Sequence, residues 1–566
     1  MSAMDHLGEM LVAGLRRTGD GAALRYKQFG LWHPVSGNEA SARANVIAQG
    51  LRGLGVQPGE NVGIYGGNCL EWLLADLGIL LAGGVSYGLD GFADAEELAR
   101  ALREVNVRFL LVEGEARMRA SVAARASCPA LAEVILLRRD RRAPAEQANI
   151  RAVNDLTEGA SPAALPHPLG AEAAIVVPTS GTTGPSRAIV LPHGAVCAQI
   201  SRAAETMKLR PGEERLSLLP IHHVAERVTG IYAGIASGVV INFPESADTA
   251  LTDLVELQPA IVQLVPRMWR AMRSGIALTL AETTPLQRRA VESALRHPSG
   301  IKDRLVLKPL RRRLGIDGAR LCLSTGGAMH QQDAGWFAAL GREISDVYAL
   351  TETAGAVAIG PSRGPKTLMT PLNGIELAAD DSREIRVRAA DLSHSVLGVT
   401  EGLPAGWFST GDRRTVEGGG GGRMADALHG VGSVTHPFER EQALLDSPYV
   451  ADAFVTSAGD ENLRAIILLD ADQTARYAQN AAVPFTHFRS LTEAAEIRAL
   501  AEGIVAQTNR RFPEPPITSF HLLDRVLAPG DAELGPTMSL RRYRINAIEP
   551  AQTGKPEHSE QEGRTA

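Results

Sequence analysis

Short apolar runs alternate with helix-length segments along most of the chain. Asn61–Tyr65, Phe109–Val112, Val134–Leu137, Val239–Phe243, Ile261–Val265 and Arg320–Ser324 are predicted strands, and Glu71–Leu81 is a predicted helix. Glu172–Pro178 is a further predicted strand that runs into a loop of glycine and hydroxyl residues. Strands alternating with helices imply sheets of largely parallel strands covered by helices. The alternation breaks at Glu417, where Gly418–Gly422 follow. A glycine run fixes its backbone only at high entropic cost, so it reads as a connection. The expected fold is therefore α/β: a large N-terminal domain of mixed, mostly parallel sheets with helices (1–417), a glycine linker (418–422), and a small mobile α/β C-terminal domain (423–550). The polar tail 551–566 is expected to be disordered.

At 566 residues the chain exceeds what one core usually supports, which agrees with two domains. The balance of 58 basic against 64 acidic residues leaves −6, no footprint for nucleic acid. Leu73–Leu89 is the most apolar stretch, but Asp76 and several glycines interrupt it, so it reads as buried core rather than a membrane span. Met1–His6 has no charged lead into an apolar run, so no signal peptide is expected. Cys69, Cys128, Cys197 and Cys322 have no paired spacing, which fits a reducing cytoplasm and argues against a zinc site.

The sharpest chemical signal is Pro178-Thr179-Ser180-Gly181-Thr182-Thr183-Gly184-Pro185-Ser186-Arg187. Glycines let backbone N–H groups turn around an anion, hydroxyls add donors, and Arg187 adds charge. Together they suit a polyphosphate. No Gly-Lys-Ser/Thr follows at Walker spacing. His222-His223 could begin an acyltransferase His-His-x-x-x-Asp pattern, but Arg227 occupies the Asp position. Taken alone, Thr351-Glu352-Thr353 reads as a helix start and Asp412 as a turn residue after Gly411.

Thr179-Ser180-Gly181-Thr182-Thr183-Gly184 resembles the signature of the adenylate-forming superfamily of acyl-CoA synthetases, peptide-synthetase adenylation domains and luciferases. Leu219–Arg227, Val265-Pro266-Arg267-Met268-Trp269 and Glu533–Met538 are similar to its long-chain fatty acyl-CoA ligase branch. The resemblance extends over nearly the whole chain and implies ATP and Mg²⁺ as cofactors. It implies that Tyr348 stacks on adenine, that Thr351 contacts the α-phosphate and that Glu352 holds Mg²⁺. It also implies that Asp412 and Arg423 reach the ribose and that Gly326, Gly327 and Ala328 border adenine and the acid. His223 and Ala349 would line the acid pocket. Thr351, Glu352 and Arg187 would form the catalytic set. The implied partners are a small-molecule acid and a small-molecule acceptor, with homo-oligomerisation left open.

The chain departs from the family pattern at several points. Ser186-Arg187-Ala188 stands where relatives have Pro-Lys-Gly. Ala425 stands at the hinge position, and Gly432-Ser433-Val434 replaces a Gly-Gly-Lys stretch used in thioester formation. Ser539 stands where relatives place a catalytic lysine that bridges carboxylate and phosphates; Arg541 and Arg542 are nearby alternatives. Three readings follow. The first is adenylation of an unusual small acid with transfer to an amine, as in ATP-dependent diazotases of secondary metabolism. The second is a medium- or long-chain acyl-CoA ligase, and the third a non-catalytic nucleotide-binding paralogue.

Overall fold

The computed structural model describes residues 6–138, 151–157, 170–179, 181, 186–363, 369–379, 381–389, 391–392, 395–396, 406–414, 420–423, 428–429, 434–459, 462–528, 530–535 and 538–546. Two large mixed sheets dominate. One has nine strands, with Glu214–Leu216, Val240–Phe243, Ile261–Leu264, Leu321–Thr325 and Ile344–Leu350 among its parallel members and antiparallel strands at both edges. The other has seven strands. Asn61–Tyr65, Val85–Leu89, Phe109–Val112, Glu133–Leu136 and Ala173–Pro178 run parallel, and Ala188–Pro192 returns antiparallel beside Ala173–Pro178. The expected strands are present with their ends shifted by at most a residue.

The side-chain alternation explains why the strand sequences are apolar throughout. In Phe109–Val112, Phe109 and Leu111 join one core while Leu110 and Val112 join another. Ile261 and Leu323 face the shared core, whereas Val262 and Cys322 face a third. A strand covered on both faces has no polar side. The shared core is filled by helices Leu7–Thr18, Gly37–Gly53, Leu70–Leu81 and His193–Thr206, with strands of both sheets around them.

Leu73–Leu89 is core, as its interruptions imply: helix Leu70–Leu81 leads into strand Val85–Leu89. Its charge, Asp76, is fully buried. Arg227, also fully buried, donates to Asp76, to the Ser86 hydroxyl at 2.8 Å and to the Tyr232 hydroxyl at 2.8 Å, while Tyr232 in turn donates to Asp76. The guanidinium lies 5.2 Å from the Trp72 ring centre. Arg227 is thus a structural cation, in place of the Asp an acyltransferase motif would need. No helix among the described residues is long and apolar enough to cross a membrane.

A four-stranded antiparallel sheet follows, in the order Glu376–Ala379, Glu384–Arg388, Phe408–Arg414 and Gly420–Arg423. Part of the expected glycine linker is therefore strand: Gly420–Gly422 continue with Arg423 along Phe408–Arg414, and the ladder fixes a backbone that glycine composition alone leaves loose. Gly418, Gly419, Ala425, Gly432, Ser433 and the tail 551–566 lie outside the described residues. Beyond them, Val450–Gly459, Asn462–Leu469 and Ile517–Leu522 form a three-stranded sheet. With helices Phe438–Leu444, Ala471–Asn480 and Ala495–Arg511 it encloses its own core, including Leu444, Val455, Ile467, Ile497 and Ile504.

This C-terminal unit docks along helix Pro266–Ala281. The Ser274 hydroxyl donates to Asp470 at 2.7 Å, and Gln473 donates to the Ser274 hydroxyl at 3.1 Å. Arg476 donates to the Leu278 carbonyl at 3.0 Å, and Arg270 to the Val450 carbonyl at 3.2 Å. His330 Nε2 lies 3.1 Å from Asp446.

Candidate active site

A cavity of about 440 Å³ lies where the C-terminal ends of the parallel strands meet the C-terminal unit. Open α/β sheets place their ligands at this end of the strands. Thr179, His223, Gly326, Gly327, Ala328, Tyr348, Ala349, Thr351, Glu352 and Asp412 all line it.

Strand Ile344–Leu350 supplies Tyr348 and Ala349 and then turns through Thr351–Ala354 into the antiparallel strand Gly355–Pro361. Thr351 and Glu352 therefore sit on a hairpin turn, in contrast to the helix start their sequence suggests. The turn depends on left-handed Ala354 (φ 56°) and on Gly355 (φ 137°), where a Cβ would stand 2.8 Å from the Thr229 hydroxyl. Buried Gln199 donates to the Thr353 and Ala356 carbonyls at 2.8 and 2.9 Å, tying the turn to helix His193–Thr206.

The Tyr348 hydroxyl donates to Asp412 at 2.8 Å, joining two sheets across the cavity. Asp412 follows left-handed Gly411 (φ 70°), whose N–H donates to Glu384 at 3.0 Å. The Thr410 hydroxyl caps the Ile385 carbonyl at 2.7 Å. The neighbouring backbone of Arg423 is in register with Asp412 on the paired strand.

At the base of the phosphate loop, Thr179 N–H donates to the Arg187 carbonyl at 2.9 Å and Arg187 N–H to the Thr179 hydroxyl at 3.0 Å. Arg100 and Glu104 hold the exit, through the Ser186 carbonyl and the Ala188 N–H. Gly181 is left-handed, with φ 61°. Ser180, Thr182, Thr183 and Gly184 lie outside the described residues. The Arg187 side chain is exposed and does not line the cavity.

The cavity is also lined by His223, Gly326 and Ala349. Behind them Val224, Val228, Ala354 and Ala356 are packed into the shared core. His223 Nδ1 accepts from Ala225 N–H at 3.3 Å, and burial, with His222 beside it, lowers its pKa to about 4. The ring is neutral at pH 7, with its proton on Nε2.

The C-terminal unit roofs the cavity with Phe438, Glu441, Asp452, Phe454, Ser539 and Arg542. Ser539 reaches the cavity as the family pattern implies. Arg542 is engaged by both oxygens of Glu441, at 2.6 and 2.8 Å, and lies over the Phe454 ring. Arg541 lines a smaller recess with Thr179 and Ser186; its side chain makes long contacts of 3.4 Å to Glu97 and the Ala532 carbonyl, and among the described residues its buried Nε has no hydrogen-bond partner. Sequence reasoning did not single out Arg270, His330, Glu441 or Asp452 as site residues, and took Arg267 only as part of a branch motif.

The AMP-binding enzyme family is matched over residues 12–388, more than half of the chain. This chain belongs to the AMP-binding enzyme family. The chain is 27% identical over 552 residues to the long-chain-fatty-acid–CoA ligase FadD15 of Mycobacterium bovis, spanning 91% of this chain and 90% of the relative. It is also 23% identical over 388 residues to the long-chain-fatty-acid–CoA ligase ACSBG2 of Xenopus laevis, spanning 63% and 51%. Among solved structures, the anthranilate CoA ligase AuaEII in complex with anthranoyl-AMP shares the fold of this AMP-binding enzyme at TM-score 0.73 and 18% identity, covering 96% and 98% of the two chains. The adenylation domain of a carboxylate reductase from Mycobacterium chelonae does so at TM-score 0.77 and 18% identity, covering 96% and 89%. The chain is accordingly an adenylate-forming ligase of the AMP-binding enzyme family.

Proposed function

We propose that this enzyme activates a small acid with ATP and Mg²⁺ and passes it to an acceptor other than CoA, an amine. The reading is supported by one observation: the nucleotide residues Tyr348, Thr351, Glu352 and Asp412 share one cavity with His223, Gly326 and Ala349. Val224, Val228 and Ala354 are buried in the core, so an acyl chain passing that way would have to displace them. A small anion of O–C–O or O–N–O shape, such as a short carboxylate or nitrite, needs no such space.

In this reading Asp412 accepts from the ribose hydroxyls, and Thr351 and Glu352 face the phosphates. Mg²⁺ commonly binds through one or two carboxylates plus phosphate oxygens, so the single carboxylate of Glu352 fits it. The bound ion would offset charge as pyrophosphate leaves. The acid oxygen attacks the α-phosphorus, the bond to the β-phosphate oxygen breaks, and pyrophosphate departs with the electron pair. Ser539 brings no cation to this step. Arg541, beside Thr179 in a neighbouring recess, is the replacement in this reading, because Arg542 is committed to Glu441.

The second reading, an acyl-CoA ligase, is favoured by the names of the relatives. Isotope exchange between pyrophosphate and ATP separates the two. Exchange with nitrite or short acids, indifferent to Ser539→Lys, supports the proposal. Exchange with palmitate, raised ten- to hundred-fold by Ser539→Lys, restores the ligase, since a positioned cation contributes several kcal/mol. Absence of exchange with every acid leaves a non-catalytic nucleotide-binding protein.

A further inference from the structure

Helix Pro266–Ala281 starts at the cavity and ends about 24 Å along its sixteen residues, where the chain enters a pair of packed helical arms. The first arm is Pro285–Arg296. The second is the continuous helical stretch 300–313, with a π turn at Asp303–Leu307. Lys302 Nζ joins the arms, donating to the Ser293 hydroxyl at 3.0 Å and to the His297 carbonyl at 3.2 Å. The second arm is anchored on its inner side. Leu307, Arg311 and Leu314 are buried, and Arg311 donates to Asp303 at 2.6 Å, to Asp317 at 3.0 Å and to the Leu340 carbonyl at 3.1 Å.

The outer side has a different chemistry. Exposed positions recur at three- and four-residue steps along the second arm: Ile301, then Arg304 and Leu305, then Pro309, then Arg312 and Arg313. That outer stripe has no acidic residue. Ile301 is 73% exposed and Leu305 69%, and Leu286 on the first arm is 79% exposed. Single exposed aliphatics are ordinary, but three on one pair of helices are not. Residues 285–313 also carry nine lysines and arginines against only Glu292 and Asp303, in a chain whose net charge is −6. Both acids are matched locally, Glu292 by Arg296 and Asp303 by Arg311. Among the described residues, exposed Arg289, Arg304 and Arg313 have no carboxylate partner.

We propose that these two arms are a docking surface for an anionic lipid bilayer. Ile301 and Leu305 enter the headgroup boundary, and Arg289, Arg304 and Arg313 meet lipid phosphates. A nucleic acid would satisfy the cations but leave the aliphatics in water, whereas an anionic bilayer takes both. The surface is separate from the cavity, so it holds for either reading of the acid.

Co-sedimentation of the full chain with vesicles tests it. Phosphatidylcholine vesicles containing about one-third phosphatidylglycerol should bind the chain, and pure phosphatidylcholine should bind it about ten-fold less or weaker still. Raising salt from about 0.1 to about 0.5 M should release much of the bound chain. Arg304→Gln and Arg313→Gln should each lower partitioning about five-fold, as expected for one cation near an anionic surface. Leu305→Ser should lower it about ten-fold or more, because an inserted aliphatic is lost. Arg119→Gln, on an exposed arginine of another helix, should leave it unchanged. The substituted side chains are exposed, and unchanged urea midpoints show that the fold is intact. The proposal is overturned if neither vesicle binds, if neutral vesicles bind as well as anionic ones, or if all three variants of the arms bind like wild type. It is also overturned if the arginine variants lose binding while Leu305→Ser keeps it and duplex RNA displaces the vesicles, which identifies a general polyanion site.

Discussion

Arg227 and Arg267 each face an aspartate, and the two pairs could hardly differ more. Arg227 meets Asp76 directly, with Ser86 and Tyr232 closing the remaining valences. Arg267 meets Asp452 only at a distance, across a seam, with one guanidinium nitrogen unpaired. A buried ion pair that is fully hydrogen-bonded locks a core, and removing one partner strands the other. A pair that never closes locks nothing and keeps its hydrogen-bonding capacity for something else. Charge alone therefore does not mark a site in this molecule.

The largest effect should come from breaking the closed pair. Arg227→Met or Asp76→Asn is expected to cost about 3–5 kcal/mol in urea denaturation. Arg267→Met and Asp452→Asn should change stability by less than about 1 kcal/mol, the level of substitutions away from closed networks. Equal losses in both pairs would erase the distinction.

Acid should separate the two regions next. His223 in the fold titrates near 4, below its ordinary value of 6.5, because burial disfavours the cation. As pH falls below 6.5 the unfolded chain takes the proton first. Stability is then lost between pH 6.5 and 4, by roughly 3 kcal/mol, and is unaffected by this group above 6.5. Desolvation raises the Asp452 carboxyl instead, so acidification relieves its burial penalty. Denaturation midpoints against pH for wild type, His223→Asn and Asp452→Asn should show the first variant reducing the acid loss, to which buried His193 also contributes, and the second leaving it.

Asp412 extends the comparison to a third aspartate, joined to Tyr348 yet still facing the cavity. Asp412→Ala should weaken a non-hydrolysable ATP analogue by about 1.5–3 kcal/mol, since a charged acceptor is lost. Tyr348→Phe removes only the bond that orients Asp412 and should cost about 0.5–1.5 kcal/mol of the same binding. Unchanged affinity in Asp412→Ala would take this residue out of the ribose site.

The sheets were legible because their strands are covered on both faces and so read as unbroken apolar runs; Phe109–Val112 and Ile261–Leu264 are examples. That Tyr348, Thr351, Glu352 and Asp412 share one cavity was legible by resemblance, since they stand at fixed places in one motif order. The strand at Gly420–Gly422 was not legible because glycine carries no side-chain periodicity, and the ladder to Phe408–Arg414 orders it. Thr351–Glu352 looked like a helix start because hydroxyl-acid pairs favour both helix caps and turns. The partner carbonyls that Gln199 holds lie more than 150 positions away in sequence. The seam was illegible for the same reason. Arg267 and Asp452 are ordinary charged residues until folding brings two distant segments together.

Helix Pro266–Ala281 gives the molecule a constraint on its future. Arg267, Arg270, Ser274 and Leu278 fall at helical intervals of three and four, on one stripe about 16 Å long. Its first turn faces the chamber and its later turns grip the C-terminal unit. A one-residue insertion between the two stretches would rotate one relative to the other by about 100°. Ligand preference and the anchoring of the roof are thus inherited as a single trait, and a lineage that frees the roof must rebuild the chamber in the same step.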